Sequence, residues 1–191
     1  MDVSQYDALI FDCDGTLTLS MPLHYIAWRD SVAKHGITFS EEQFYALAGM
    51  PSDKVILTLA TEQQVELSDY QSVLEQKENS FLENIEKLEP FPFTVDLAKK
   101  HHGSMPLAVA SGGDFQVVSA QLDHLGIIGL FDAIVTAEHT EKHKPHPDVF
   151  LEAAEQLKVI PEKCLVFEDG DLGIEAARRA KMDFVDVRLI D

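Results

Sequence analysis

The chain is short of basic residues, of cysteine and of long apolar runs, and each shortage removes a class of function. Only 15 lysines and arginines stand against 33 aspartates and glutamates, a formal charge of -18 over 191 residues. Nucleic acid and anionic membranes are bound through clustered Lys and Arg, so neither is expected as a partner. The two cysteines, Cys13 and Cys164, lie in apolar, strand-like runs, where free thiols are commonly buried. No disulfide framework is expected, which favours a reducing, cytoplasmic setting. No charged-then-apolar leader opens the sequence, and no stretch approaches the ~20 apolar residues of a bilayer span, so the expectation is a soluble protein. Internal repeats and low-complexity tracts are also missing.

What is present begins with Ala8-Leu9-Ile10-Phe11-Asp12-Cys13-Asp14-Gly15-Thr16. The short apolar run reads as a strand over residues 8–14, buried on both faces. In an extended chain Asp12 and Asp14 point to one side, where they repel unless a cation lies between them. Gly15 lets the chain turn and exposes backbone N–H groups. Alone, this pattern is equally a solvated turn after a strand.

Residues 18–89 show no strand alternation and read as four helices. His24, Ala27, Trp28 and Val32 share one face of the first, which Gly36 terminates. Ser40-Glu41-Glu42-Gln43 resembles a capping box opening a second helix that stops near Gly49. Ser52 is expected to cap a third helix, and residues 68–88 to form the fourth. Proline-containing segments 18–22 and 89–92 frame this insert as candidate hinges. From residue 93 strands (106–110, 133–137, 164–167, 184–187) alternate with helices (95–101, 115–125, 147–157, 172–181). That is the pattern of an α/β fold with a doubly wound, mostly parallel sheet. The expected domains are a Rossmann-like core of residues 1–17 and 93–191 and a four-helix cap of residues 18–92.

In such sheets ligands gather past the carboxyl ends of the strands. Ser111-Gly112-Gly113 ends the second core strand, offering a hydroxyl and backbone donors before a helix N-terminus that favours an anion. Lys144-Pro145-His146-Pro147-Asp148 follows the third, and Phe167-Glu168-Asp169-Gly170-Asp171 ends the fourth. Singly, the first is as often a helix cap, the second is usually a solvated lysine, and the third is a capping acid run as often as a metal site. Against so acidic a background, a phosphate site must invert the field with a cation, a lysine and backbone donors. Most other acids simply solvate helices.

Acids, then Ser-Gly, then Lys-Pro, then Glu-Asp, each after a successive strand, resemble the four motifs of the haloacid dehalogenase superfamily. The resemblance covers the whole chain, including a helical cap inserted after the first motif. His24-Tyr25-Ile26-Ala27-Trp28, Gly173-Ile174-Glu175-Ala176-Ala177 and Val185-Asp186-Val187-Arg188-Leu189 are similar to the beta-phosphoglucomutase-like branch. Within it, the chain is most similar to bacterial fructose-1-phosphate phosphatases, which also accept 6-phosphogluconate. The resemblance implies Asp12 as nucleophile and Asp14 as general acid and base. It implies Ser111, Gly112 and Lys144 as phosphate holders, and Mg2+ bound by Asp12, the Asp14 carbonyl, Asp169 and Glu168. A small phosphorylated sugar is the implied substrate. Leu19 and Met21 stand where many relatives have acids, and Gly170 where many have serine. His24 reads as core or hinge packing. A phosphomutase using the same aspartyl-phosphate is the alternative, against which Thr16 weighs because mutases of this branch usually lack it. A receiver-like phosphate sensor without turnover is a reading of a different class, but it leaves Asp14 and the insert without a job.

Overall fold

In a computed structural model of the protein, residues 1–48 and 50–190 are described. Two compact units emerge, Met1–Leu19 with Glu89–Asp191, and Ser20–Leu88. Strands β1 (Ala8–Phe11), β2 (Leu107–Ala110), β3 (Ala133–Val135), β4 (Cys164–Glu168) and β5 (Asp183–Asp186) form one sheet in the first unit. Its order is β3-β2-β1-β4-β5, and every pairing is parallel. Among the described residues there are eight α-helices. The second unit holds α1 (Met21–Ala33), α2 (Glu41–Ala46), α3 (Ser52–Glu62) and α4 (Tyr70–Leu82); α5 (Pro92–His101), α6 (Phe115–His124), α7 (Asp148–Leu157) and α8 (Asp171–Arg179) flank the sheet. None is long and apolar enough to cross a membrane.

The sheet is covered on both faces because β1 and β2 are apolar at every position, and β4 up to its last residue, rather than at alternate ones. Ala8 and Ile10 of β1 face one side, with Ala108, Ala110, Val166 and the buried residues of α7 and α8. Leu9 and Phe11 face the other, with Leu107, Val109, Phe167 and residues of α5 and α6. Both cysteines are free and buried.

Several element ends differ from expectation. Strand β1 stops at Phe11 rather than residue 14, because the Cys13 carbonyl accepts the N–H groups of Leu17 and Thr18 and curls the chain into a turn. Helix α3 starts at Ser52 with Pro51 in the capping position, so Ser52 caps nothing. Helix α2 has the expected reciprocal Ser40–Gln43 cap and ends at Ala46; the expected stop at Gly49 lies outside the described residues. Helix α4 opens on Asp69, whose carboxylate accepts the Ser72 N–H, and closes at Leu82 instead of 88. There the Asn84 amide donates to the Ser80 carbonyl, its N–H turns to Phe81, and Ile85–Lys87 tightens to a 3-10 turn. His24 is buried and stacks on Phe81 at 4.0 Å, a packing role within the second unit.

Phe11 and Phe167, on adjacent strands, stack with ring centroids 4.8 Å apart, and both are fully buried. Phe167→Ala should therefore cost about 3–5 kcal/mol, read as a lowered midpoint in urea denaturation followed by circular dichroism.

Candidate active site

The site is built on the loop that leaves β1. The Asp12 N–H donates to the Phe167 carbonyl at 3.0 Å, extending the sheet by one bond. Cys13 then turns its side chain into the apolar core. Its carbonyl accepts the N–H groups of Leu17 (2.9 Å) and Thr18 (3.0 Å), and the Gly15 N–H closes the loop onto the Thr18 carbonyl at 2.8 Å. Gly15 has φ +79°, and a Cβ there would run into the Asp169 carboxylate. A side chain at position 15 is thus excluded by backbone conformation and by space alike.

Because β2 and β4 flank β1, their ends fall on either side of Asp12. Ser111 follows β2, fully buried, and its Oγ accepts the Gly113 N–H at 3.0 Å. Gly112 lies between them with open space where a Cβ would stand. Glu168 ends β4; its Oε2 accepts the Gly170 N–H at 2.5 Å, and its side chain fills the place of a Cβ on Gly173. Asp169 follows, accepting the Thr16 hydroxyl at 3.4 Å. Lys144 arrives from the loop before α7, just ahead of Pro145, with its Nζ donating to Asp12 Oδ1 at 2.5 Å and Glu168 Oε1 at 2.7 Å. Asp14 Oδ1 accepts the Gln121 amide at 2.9 Å. A Cβ built on Gly113 would lie 3.4 Å from Ser111 Oγ and 3.7 Å from Asp14 Oδ2, so both side chains border that glycine.

The N-terminus of α6 already holds an anion of the chain's own, because both Glu138 carboxylate oxygens accept the Phe115 N–H at 3.0 Å. Three further residues, Gln121, Gly173 and Thr18, reach the site from outside the four motifs. Gln121 carries a signal, a lone amide on the face that includes Val117, Val118 and Leu122. Gly173 lies in a segment that carries the family resemblance, but neither it nor Thr18 shows by itself what it approaches.

Four carboxylates share the site with one ammonium. Burial drives the Asp12 carboxyl well above the usual range; Lys144 draws it back, and Glu168, Asp169 and Asp14 push it up further. Burial also works to strip the Lys144 proton, but Asp12 and Glu168 outweigh it and hold the ammonium charged. Asp169 is pushed up to about 7, first by burial and then by the Glu168 charge. Asp12, Glu168 and Asp169 each offer an oxygen within 4.8 Å of the others. An all-oxygen donor set with excess negative charge fits a hard divalent cation such as Mg2+. Although both Glu168 oxygens are engaged, each keeps a second lone pair.

Between its unfolded value of 3.8 and its folded value of about 7, Asp169 holds an extra proton only when folded, so stability falls as pH rises through that window. In chelator, the melting temperature should drop from roughly pH 4 to pH 7, Asp169→Asn should flatten the drop, and added Mg2+ should raise the melting temperature most at the alkaline end. Differential scanning fluorimetry checks all three.

Comparison with known proteins agrees with this geometry. A family model described as haloacid dehalogenase-like hydrolase matches residues 9–187. The chain is 40% identical over 186 residues to a protein of Escherichia coli K12 named fructose-1-phosphate phosphatase YqaB, covering 97% of this chain and 98% of that one. It is 29% identical to a beta-phosphoglucomutase of Bacillus subtilis, covering 94% of this chain and 82% of that one. A crystal structure of beta-phosphoglucomutase from Clostridium difficile superposes with a TM-score of 0.82 at 27% identity, over 94% of this chain and 83% of that one. Strand order, strand-end residues and these likenesses agree, and the chain belongs to the haloacid dehalogenase-like hydrolase family, as an enzyme with phosphatases among its relatives.

Proposed function

We propose that the protein is a Mg2+-dependent phosphatase of small sugar phosphates, fructose 1-phosphate or 6-phosphogluconate above all, working through an aspartyl-phosphate on Asp12. The observation that carries this reading is the joint position of Asp12, Asp14, Lys144, Glu168 and Asp169. A carboxylate nucleophile held by an ammonium lies beside a second carboxyl on the side of a serine-glycine loop. The 40% identity to a named fructose-1-phosphate phosphatase supports the substrate class.

Asp12 attacks phosphorus as the ester P–O bond breaks, and Asp14 gives its proton to the departing sugar oxygen. Asp14 then takes a proton from the water that attacks the aspartyl-phosphate, which frees inorganic phosphate and restores Asp12. Dividing one hydrolysis into two displacements lowers the barrier to each. Lys144, Ser111 and the Gly112 backbone hold the other phosphoryl oxygens, where positioning and neutralisation do most of the work. Asp12, Asp169, Glu168 and the Asp14 carbonyl would hold Mg2+, which supplies positive charge against the phosphoryl group. Substrate choice is assigned to the helical segment 18–92, and the free buried thiols support a cytoplasmic setting.

A phosphomutase is the second reading, favoured by the mutases among the relatives. Thr16, whose hydroxyl reaches Asp169, weighs for hydrolysis.

Given fructose 1-phosphate and Mg2+, the protein should release inorganic phosphate, and Asp12→Asn should reduce turnover by about 1,000-fold or more with an unchanged circular dichroism spectrum. A retained rate in that variant removes Asp12 as nucleophile. Given a hexose 1-phosphate, isomerised sugar phosphate without free phosphate selects the mutase.

A further inference from the structure

The buried face of α6 is apolar except at one position. Gln121 stands a helical turn from Val117 and Val118, beside Leu122, and is wholly buried. A primary amide in such a place is costly unless both of its ends are hydrogen-bonded. Both ends are engaged. The Thr18 hydroxyl lies 2.8 Å from Gln121 Oε1, and Gln121 Nε2 lies 2.9 Å from Asp14 Oδ1.

The chemistry of these partners fixes which way the amide points. An ionised carboxylate only accepts, so the NH2 end must face Asp14, and the oxygen is left for the hydroxyl. Thr18 is itself held, fully buried, by the loop that curls onto the Cys13 carbonyl; its hydroxyl lies 3.2 Å from that oxygen and its N–H donates to it at 3.0 Å. Thr18, Gln121 and Asp14 thus make a relay of contacts from the backbone of the β1 loop to one carboxyl oxygen. The other oxygen, Oδ2, lies 3.7 Å from where a Cβ of Gly113 would stand, on the side of the Ser111-Gly112-Gly113 loop.

We propose that Gln121 is a positioning residue that pins Asp14 through Oδ1, so that Oδ2 is the oxygen that exchanges a proton with the leaving group and with water. This role rests on the reading of Asp14 as proton carrier in a phosphatase. Gln121 touches neither substrate nor phosphorus; it acts by holding the carboxyl in one rotamer, and a misplaced proton donor loses much of its effect.

The test compares esters that differ in their need for a proton. A sugar alkoxide must be protonated as it leaves, whereas 4-nitrophenolate leaves well without help. The ratio kcat/KM covers the steps up to departure of the leaving group. In Gln121→Leu it should fall by about 10–100-fold on fructose 1-phosphate but by no more than about threefold on 4-nitrophenyl phosphate, within the range that general acid catalysis supplies. Thr18→Val, which removes only the hydroxyl, should shift the ratio of the two esters in the same direction by a smaller factor, and covers the case in which Gln121→Leu is poorly folded. Equal losses on both esters in the two variants, or no loss in either, would overturn the role while leaving the phosphatase reading in place. Wild-type protein that hydrolyses neither ester would overturn both.

Discussion

Lys144 is the constraint on which the site depends. Its ammonium is buried between Asp12 and Glu168, and removing either partner of such a contact leaves an uncompensated charge where water does not reach. Four acids and one base do not balance, however, so the pocket is assembled with a standing deficit of positive charge. Its neighbours are shaped accordingly. Thr16, Gln121 and the Gly170 backbone each donate to one of the carboxylates, and glycines at 15 and 173 leave room for the acids to come close. A fold that concentrates like charge in this way favours a cation there and is less stable without one.

Much of this was legible in the sequence because the residues follow the strands. A buried parallel strand writes itself as an unbroken apolar run, and three such runs, β1, β2 and β4, end in residues that meet in space. Sheet order explains why that works. With β2 and β4 on either side of β1, Ser111 and Glu168 must land beside Asp12 whatever the connecting helices do. Lys144 is less determined by sheet order, since it comes from the loop beyond β3 that leads into α7. Gln121 stayed hidden for a different reason. Its partners are 103 and 107 residues away, and periodicity reveals only that an amide sits on an apolar face. Apolar spacing runs past the end of α4 through Ile85 and Leu88, while the Asn84 side chain competes for a helix carbonyl, a local bond to which periodicity is blind.

The departure at Gly170 has a physical account. Its N–H lies 2.5 Å from Glu168 Oε2, and a Cβ there would stand 3.3 Å from the same oxygen. A glycine allows the backbone to close on the carboxylate without crowding it. The departure at Leu19 has none of that character, since the side chain is 42% exposed.

The sheet's topology also has a consequence for how the polypeptide is made. The middle strand is the first to leave the ribosome, yet its two partners, β2 and β4, begin at Leu107 and Cys164. A wholly apolar segment therefore waits, unpaired, through the translation of the entire helical insert. The insert has an apolar cluster of its own and can condense during that interval, so the order of synthesis leaves the sheet's middle strand unpaired for longer than any other.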